Sequence, residues 1–210
     1  MILNKYSLLF IISLFLLLTS CNSSSNKDLP YLGFPIVENG DTINYTIPDF
    51  HFLRQDSLSF GNQELKGKPY IAYFFFTSCP SVCPRMTQGA LRVQRSLDKY
   101  KDDFNILGFS IDPRRDTLAK LRAYAQEYTV DLNNWHFLRG EESEISKIGK
   151  EAFYIGISKD NKEPGGYLHS EKMILIDAKG HIRGYYSGTD ADGVKNLITD
   201  MKYLIKNEVQ

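Results

Sequence analysis

The residues best equipped for chemistry lie in one short stretch, "YFFFTSCPSVCPRM" (73–86). There Cys79 and Cys83 stand three residues apart, with a proline after each. Two thiols so spaced can form a disulfide switch, clamp a soft metal ion or staple the chain. As a staple the pair is poor, because closing so small a loop removes little unfolded-state entropy. The four-residue step puts both sulfurs on one side of a helical turn. It also leaves a wider pocket than C-x-x-C would. Converging thiolates favour Cu(I) or zinc over hard cations.

A third donor must come from elsewhere. The chain has four histidines, His51, His136, His169 and His181. His136 lies inside the strand-like "WHFL", His181 in the turn-like and solvated "KGHIRG", and His51 in an irregular N-terminal extension. His169 stands in "GGYLHSEKMILID", just ahead of a strand, and is the candidate ligand. A surface or core role for it remains the alternative at this level.

The flanking pattern says what must position these groups. Residues 70–76, "YIAYFFF", are a continuous apolar run, as in a central strand covered on both faces. Met86, Ala90, Val93, Leu97 and Tyr100 then recur at helical spacing, and Pro84 fits a first helical turn. The thiols are therefore expected where a strand meets a helix, at the sheet edge where α/β folds bind ligands. Unpaired N–H groups and the helix dipole favour thiolate there, which predicts lowered thiol pKa values.

Residues 104–111 read as a second buried strand. Asp116 and Thr117 can cap a helix bearing Leu118, Leu121, Ala125 and Tyr128. A short strand over 135–138 and a helix over 143–153 follow. Next comes a hairpin, 173–176 with 182–186, turning at Gly180. A last helix starts at Asp190 or Asp192 and buries Val194, Leu197, Ile198, Met201 and Leu204. Strands alternating with helices and closed by a hairpin predict a thioredoxin-like α/β fold: a mixed sheet flanked by helices, with an N-terminal extension of short strands.

The N-terminus is read separately. Residues 7–18 are an apolar stretch of signal-peptide length, shorter than the roughly 20 residues that span a bilayer. The stretch runs into "LTSC", which resembles a lipoprotein processing site. Residues 1–20 are thus expected to be a signal peptide, Cys21 a lipidated residue and 21–30 a polar tether, with the domain over 31–210. That reading implies an extracytoplasmic position on the bacterial cell envelope, anchored to membrane by lipid. It also leaves Cys79 and Cys83 as the remaining cysteine pair. Lys and Arg total 25, as do Asp and Glu, so no global charge points to nucleic acid.

Three segments together resemble the Sco/SenC family of cytochrome c oxidase assembly factors. They are "FFFTSCPSVCP", "FSIDPRRDT" (109–117) and His169 before a hydrophobic strand. The resemblance covers about residues 32–204. It implies a thioredoxin-like fold with one copper, Cu(I) or Cu(II), held by Cys79, Cys83 and His169. It further implies copper delivery to the Cu(A) centre of oxidase subunit II, or reduction of that subunit's cysteines. Ser81 and Leu168 replace acidic residues frequent in the family, which bears on Cu(II) affinity, redox potential and docking. Asp112, Pro113, Arg115 and Asp116 are expected to serve the loop's structure first. A thiol–disulfide oxidoreductase using only Cys79 and Cys83 is the competing function. A peroxidase lacks any other signature, and structural zinc needs a fourth ligand.

Overall fold

The computed structural model describes residues 28–160, 162–163 and 165–209, without the side chain of His169. The signal peptide, Cys21 and the tether through residue 27 lie outside the described residues. Two short strands, β1 (Ile36–Glu38) and β2 (Asp41–Ile43), form a separate antiparallel ribbon. Asn39 and Gly40 turn it with φ of 53° and 88°, the left-handed pair that a two-residue hairpin needs. Then come β3 (His51–Arg54), β4 (Ser59–Gly61), α1 (Asn62–Leu65), β5 (Tyr70–Phe75), α2 (Val82–Ser96) and β6 (Asn105–Ser110). Beyond them lie α3 (Leu118–Glu127), β7 (Trp135–Arg139), α4 (Glu142–Lys147), β8 (Ile157–Lys159) and β9 (Tyr167–His169). The chain closes with β10 (Lys172–Ile176), β11 (Ile182–Ser187) and α5 (Ala191–Glu208).

The main sheet has the order β11-β10-β5-β6-β7-β3-β4. Its three middle strands, β5, β6 and β7, are parallel, and β10 and β3 flank them antiparallel. This is the thioredoxin-like α/β plan expected from the alternation of strands and helices. Every residue of β5 and β6 is buried, which accounts for the unbroken apolar run of β5 and for the apolar centre of β6 between Asn105 and Ser110. On one face Tyr73 accepts from the Trp135 indole at 3.2 Å, linking β5 to β7, and the Thr87 and Tyr124 hydroxyls meet at 2.7 Å, linking α2 to α3. On the other, Phe74 stacks on Phe109 at 5.0 Å, with Phe153 against both. Helix α5 buries the expected Val194, Leu197, Met201 and Leu204.

Three local readings change. The helix expected over 143–153 is α4 followed by a π-helical turn, Ile148–Ala152. It buries Ile145, Ile148, Ala152 and Phe153, and apolar periodicity cannot see one wider turn in the hydrogen-bond ladder. Thr117 alone caps α3, accepting from Lys120 N–H at 3.2 Å, because Asp116 is turned inward. Leu29 and Pro30, read as tether, are bound to the domain: Leu29 is buried, and both carbonyls accept from Arg183.

Candidate metal centre

Strand β5 runs into Phe76 and Thr77, and the chain then turns, with Cys79 N–H donating to Phe76 O at 3.2 Å. Helix α2 opens at Val82 with Cys83 and Pro84 in its first turn, so both thiols stand at the strand–helix junction. Cys83 N–H donates to Cys79 Sγ at 3.5 Å, a backbone donor aimed at the outer sulfur. The two cysteines are thiols rather than a disulfide, and both are buried. The expectation of a lowered pKa fails for Cys83. Its burial pushes the thiol well up, hydrogen bonding to Cys79 adds to this, and a backbone bond from Phe76 opposes it only in part. Desolvation outweighs the helix N-terminus because the side chain points into the core.

The chain entering the thiols is held from the side by the loop at 112–117. Asp116 accepts from Thr77 N–H at 3.1 Å, from the Thr77 hydroxyl at 2.6 Å and from the Ser110 hydroxyl at 2.6 Å. Burial raises the Asp116 pKa, and these three bonds work against that. Arg139 fixes the same loop by donating to the carbonyls of Asp116 and Pro113. Sequence reasoning gave 112–117 a structural role but not this target. The signal was the buried polar pair Ser110 and Asp116 flanking an apolar strand end.

Arg115 pairs with Asp112, not with Asp116. It also donates to Gly165 O at 2.6 Å, and its guanidinium lies 5.6 Å from the Phe76 ring and 6.0 Å from the Tyr167 ring. Tyr167 packs on Phe76 at 5.4 Å. Gly165 has φ of 90°, and a Cβ there would lie 2.6 Å from the Phe76 ring. A glycine is therefore required both by backbone and by space. These contacts seat the chain leading into β9 on the cysteine loop. A cavity of about 350 Å³ opens beside them, lined by Asp112, Arg114, Arg115, Lys159 and Tyr167.

His169 ends β9, its backbone paired with Ile157 of β8. Strand β10 pairs antiparallel with β5, Ile174 opposite Ala72, so earlier residues of the one approach later residues of the other. The backbone just before β10 thus runs beside the exit of β5 toward the thiols. The other histidines lie elsewhere. His51 is exposed on β3 and bonded to Ser59. His136 is buried in β7 against Phe60, 4.6 Å between rings. His181 is half-buried at the β10–β11 turn with Nδ1 2.8 Å from Tyr45 O, rather than solvated. Among the described residues no three His, Cys, Asp or Glu side chains converge. The expected cysteine–histidine set needs the His169 side chain, which lies outside them. Soft sulfurs at one helix turn, with a backbone donor on one of them, still suit a thiophilic ion in chemistry.

A dithiol at the first turn of the helix after a central strand, opposite a loop entering an antiparallel strand, defines a thioredoxin-like protein with a modified dithiol site. The SCO1/SenC family profile matches residues 39–206, and the chain belongs to that family. A SCO1 protein homolog of Bacillus subtilis (strain 168) is 31% identical over 163 residues, covering 77% of this chain and 84% of the relative. The structure of BsSco, described as having a disulfide switch and as a member of the Sco family of cytochrome c oxidase assembly proteins, superposes with a TM-score of 0.70 at 28% identity. It covers 85% of this chain and 99% of that one. ScoI of Bradyrhizobium japonicum with copper bound gives 0.65 at 25% identity, over 76% and 99%.

Proposed function

We propose that the chain is a copper metallochaperone that holds one copper ion through Cys79, Cys83 and His169. It passes the ion to the Cu(A) site of cytochrome c oxidase subunit II, or keeps that site's cysteines reduced. It works outside the cytoplasm, tethered to membrane through a lipidated Cys21. The observation that carries this reading is the seating of residues 165–167 on the cysteine loop. Tyr167 on Phe76 and Arg115 on Gly165 O seat residues 165–167 beside the strand exit that leads to the thiols, which supports a role for the His169 that follows. The copper-bound relative supports it. Copper is cargo here. The buried thiols exclude water from the ion, the Cys83 N–H supports charge on Cys79, and Asp116 keeps the loop in one conformation by holding Thr77.

The test is competition for Cu(I) under reducing conditions. The expected result is one Cu(I) per chain, abolished by Cys79→Ala or Cys83→Ala and weakened at least tenfold by His169→Ala. A His169→Ala chain that binds as tightly as the parent overturns the three-donor site.

The second reading is a thiol–disulfide oxidoreductase, favoured by the Cys83 N–H bond to Cys79 Sγ. Cys79 thiolate would attack a partner disulfide, releasing one partner thiolate and forming a mixed disulfide. Cys83, after losing its proton, would displace the second, leaving a Cys79–Cys83 disulfide and a partner reduced by two electrons. On that reading His169→Ala is fully active without copper; on the first it loses copper transfer.

A further inference from the structure

The end of the sheet opposite the thiols is built around Arg183. Its buried guanidinium donates to Leu29 O at 2.6 Å and Pro30 O at 3.1 Å, pairs with Asp177 and Glu208, and lies 4.2 Å from the Tyr31 ring. Leu32 N–H then donates to Ile182 O at 2.9 Å. From there the chain leaves the sheet, makes the β1–β2 ribbon and returns. Tyr45 O meets the His181 ring, and Ile47 N–H donates to Gly180 O at 2.9 Å. Both stems of the ribbon are therefore tied to the β10–β11 turn. That turn follows Ile176, which faces Tyr70 at the start of β5. Five strand steps, about 17 Å, separate Tyr70 from Phe75, where the chain heads for Cys79.

Between the stems the chain is strongly apolar and open. Phe34 is 76% exposed and Val37 72%, and Tyr31, Ile36 and Ile43 are exposed as well. Only Ile36, Val37 and Ile43 of this set lie on the ribbon itself, while Phe34 also meets the Tyr154 ring and Tyr31 the Arg183 guanidinium, yet so many exposed large apolar side chains within residues 31–43 call for a partner. The sequence supplies its identity. The apolar stretch 7–18 ends just ahead of Cys21, and only six residues lie between Cys21 and Asp28, a span of at most about 25 Å. The Arg183 clamp fixes where that span meets the domain. A cavity of about 240 Å³ at the same end is lined by the exposed Lys66 and Lys179 together with Asp49 and the buried Asp177, a mixed polar surface compatible with a zwitterionic headgroup layer. Glu38 and Asp41 face each other at the ribbon tip, and two carboxylates there would oppose insertion below a headgroup layer.

We propose that Tyr31, Phe34 and the β1–β2 ribbon lie on the lipid bilayer surface, so that the Arg183 end of the domain faces the membrane and the cysteine end faces away from it. This rests on the lipid-anchor reading of Cys21. The test uses the full chain, purified from membranes and reconstituted in vesicles whose lipids carry bromine high on the acyl chain. Trp135 is the natural tryptophan and is fully buried, so it supplies a constant background. Added tryptophan fluorescence in Phe34→Trp and Val37→Trp is expected to fall roughly twofold or more against unbrominated vesicles, as for side chains resting in the interface. Leu168→Trp, at the cysteine end, is expected to be unaffected. Mass analysis of Cys21 accompanies the measurement. A lipidated chain in which the two ribbon variants are unquenched, or quenched no more than Leu168→Trp, overturns the orientation alone. A chain without acyl mass on Cys21 overturns the anchor and the orientation together. Quenching replaced by an emission shift that grows with protein-to-lipid ratio assigns the ribbon to a second copy and also overturns the proposal.

Discussion

The two ends of the central sheet each rest on a buried aspartate, and the two are satisfied differently. At the thiol end Asp116 accepts from neutral groups, the Thr77 N–H and the hydroxyls of Thr77 and Ser110, and burial raises its pKa. At the other end Asp177 accepts from the N–H groups of Lys179 and His181 and pairs with Arg183, which also holds Glu208. Arg115, whose guanidinium lies beside the Phe76 ring, is half-exposed and committed to Asp112 and Gly165. One end is thus locked by desolvated ions, while the thiol end is held by lighter, neutral bonds. Under the proposed function, the thiol end, which would take up and give up an ion, gains from a frame whose parts can shift at small cost, and an attachment point for the proposed tether gains from the opposite.

The sharpest way to break this contrast is Arg183→Ala. It strands two carboxylates and two carbonyls, and a loss of about 3–5 kcal/mol in denaturant unfolding is expected. Copper stoichiometry of the folded fraction should not change. If copper binding is lost in step with stability, the two ends are not separate units.

Acid should weaken the fold through His136, which lies in β7 away from both ends. Burial lowers its pKa to about 4 from an ordinary 6.5, with Arg54 acting in the same direction. The unfolded chain therefore binds the proton first. The stabilisation is complete above about pH 6.5 and falls as pH drops toward 4, by about 3 kcal/mol. Urea unfolding at pH 7 and pH 4.5 should show that slope in the parent and its loss in His136→Gln.

Asp116→Ala leaves the Thr77 N–H and two hydroxyls without their acceptor, at a cost of about 2 kcal/mol. Its distinguishing effect is local. Alkylation of the thiols and hydrogen exchange at residues 77–83 should accelerate by more than the global loss explains. Uniform acceleration across the sheet would assign Asp116 to general stability instead. Arg115→Ala should be milder than Arg183→Ala, about 1–2 kcal/mol, because the guanidinium is half-exposed although its loss leaves the buried Asp112 carboxylate without that partner. It should still loosen residues 165–169, visible as faster exchange there than at β10.

Much of the framework was legible in the sequence, because it follows from burial. The unbroken apolar run of β5, the apolar centre of β6, the helical stripe of α2 and the β10–β11 hairpin all declare themselves by period. The position of Cys79 and Cys83 follows from them. What stayed hidden depends on contacts between distant segments. That Asp116 serves Thr77 rather than a helix cap, and that Arg115 reaches Gly165, are matters of side-chain direction that spacing does not encode. The raised pKa of Cys83 was misjudged for a related reason. The helix N-terminus can be read from sequence, but the depth to which a side chain is packed cannot. The departures Ser81 and Leu168 were visible at once, and both fall on exposed positions beside the site, Leu168 half-exposed. They alter its rim rather than its frame.

The most direct measurement is X-ray absorption at the copper edge of the full chain loaded with one equivalent of Cu(I), for the parent and for His169→Ala. Two sulfur scatterers and one imidazole nitrogen are expected in the parent, with the nitrogen lost in the variant. Two sulfurs alone in both proteins, or an imidazole signal that survives the substitution, would contradict the assignment of Cys79, Cys83 and His169 as the copper site.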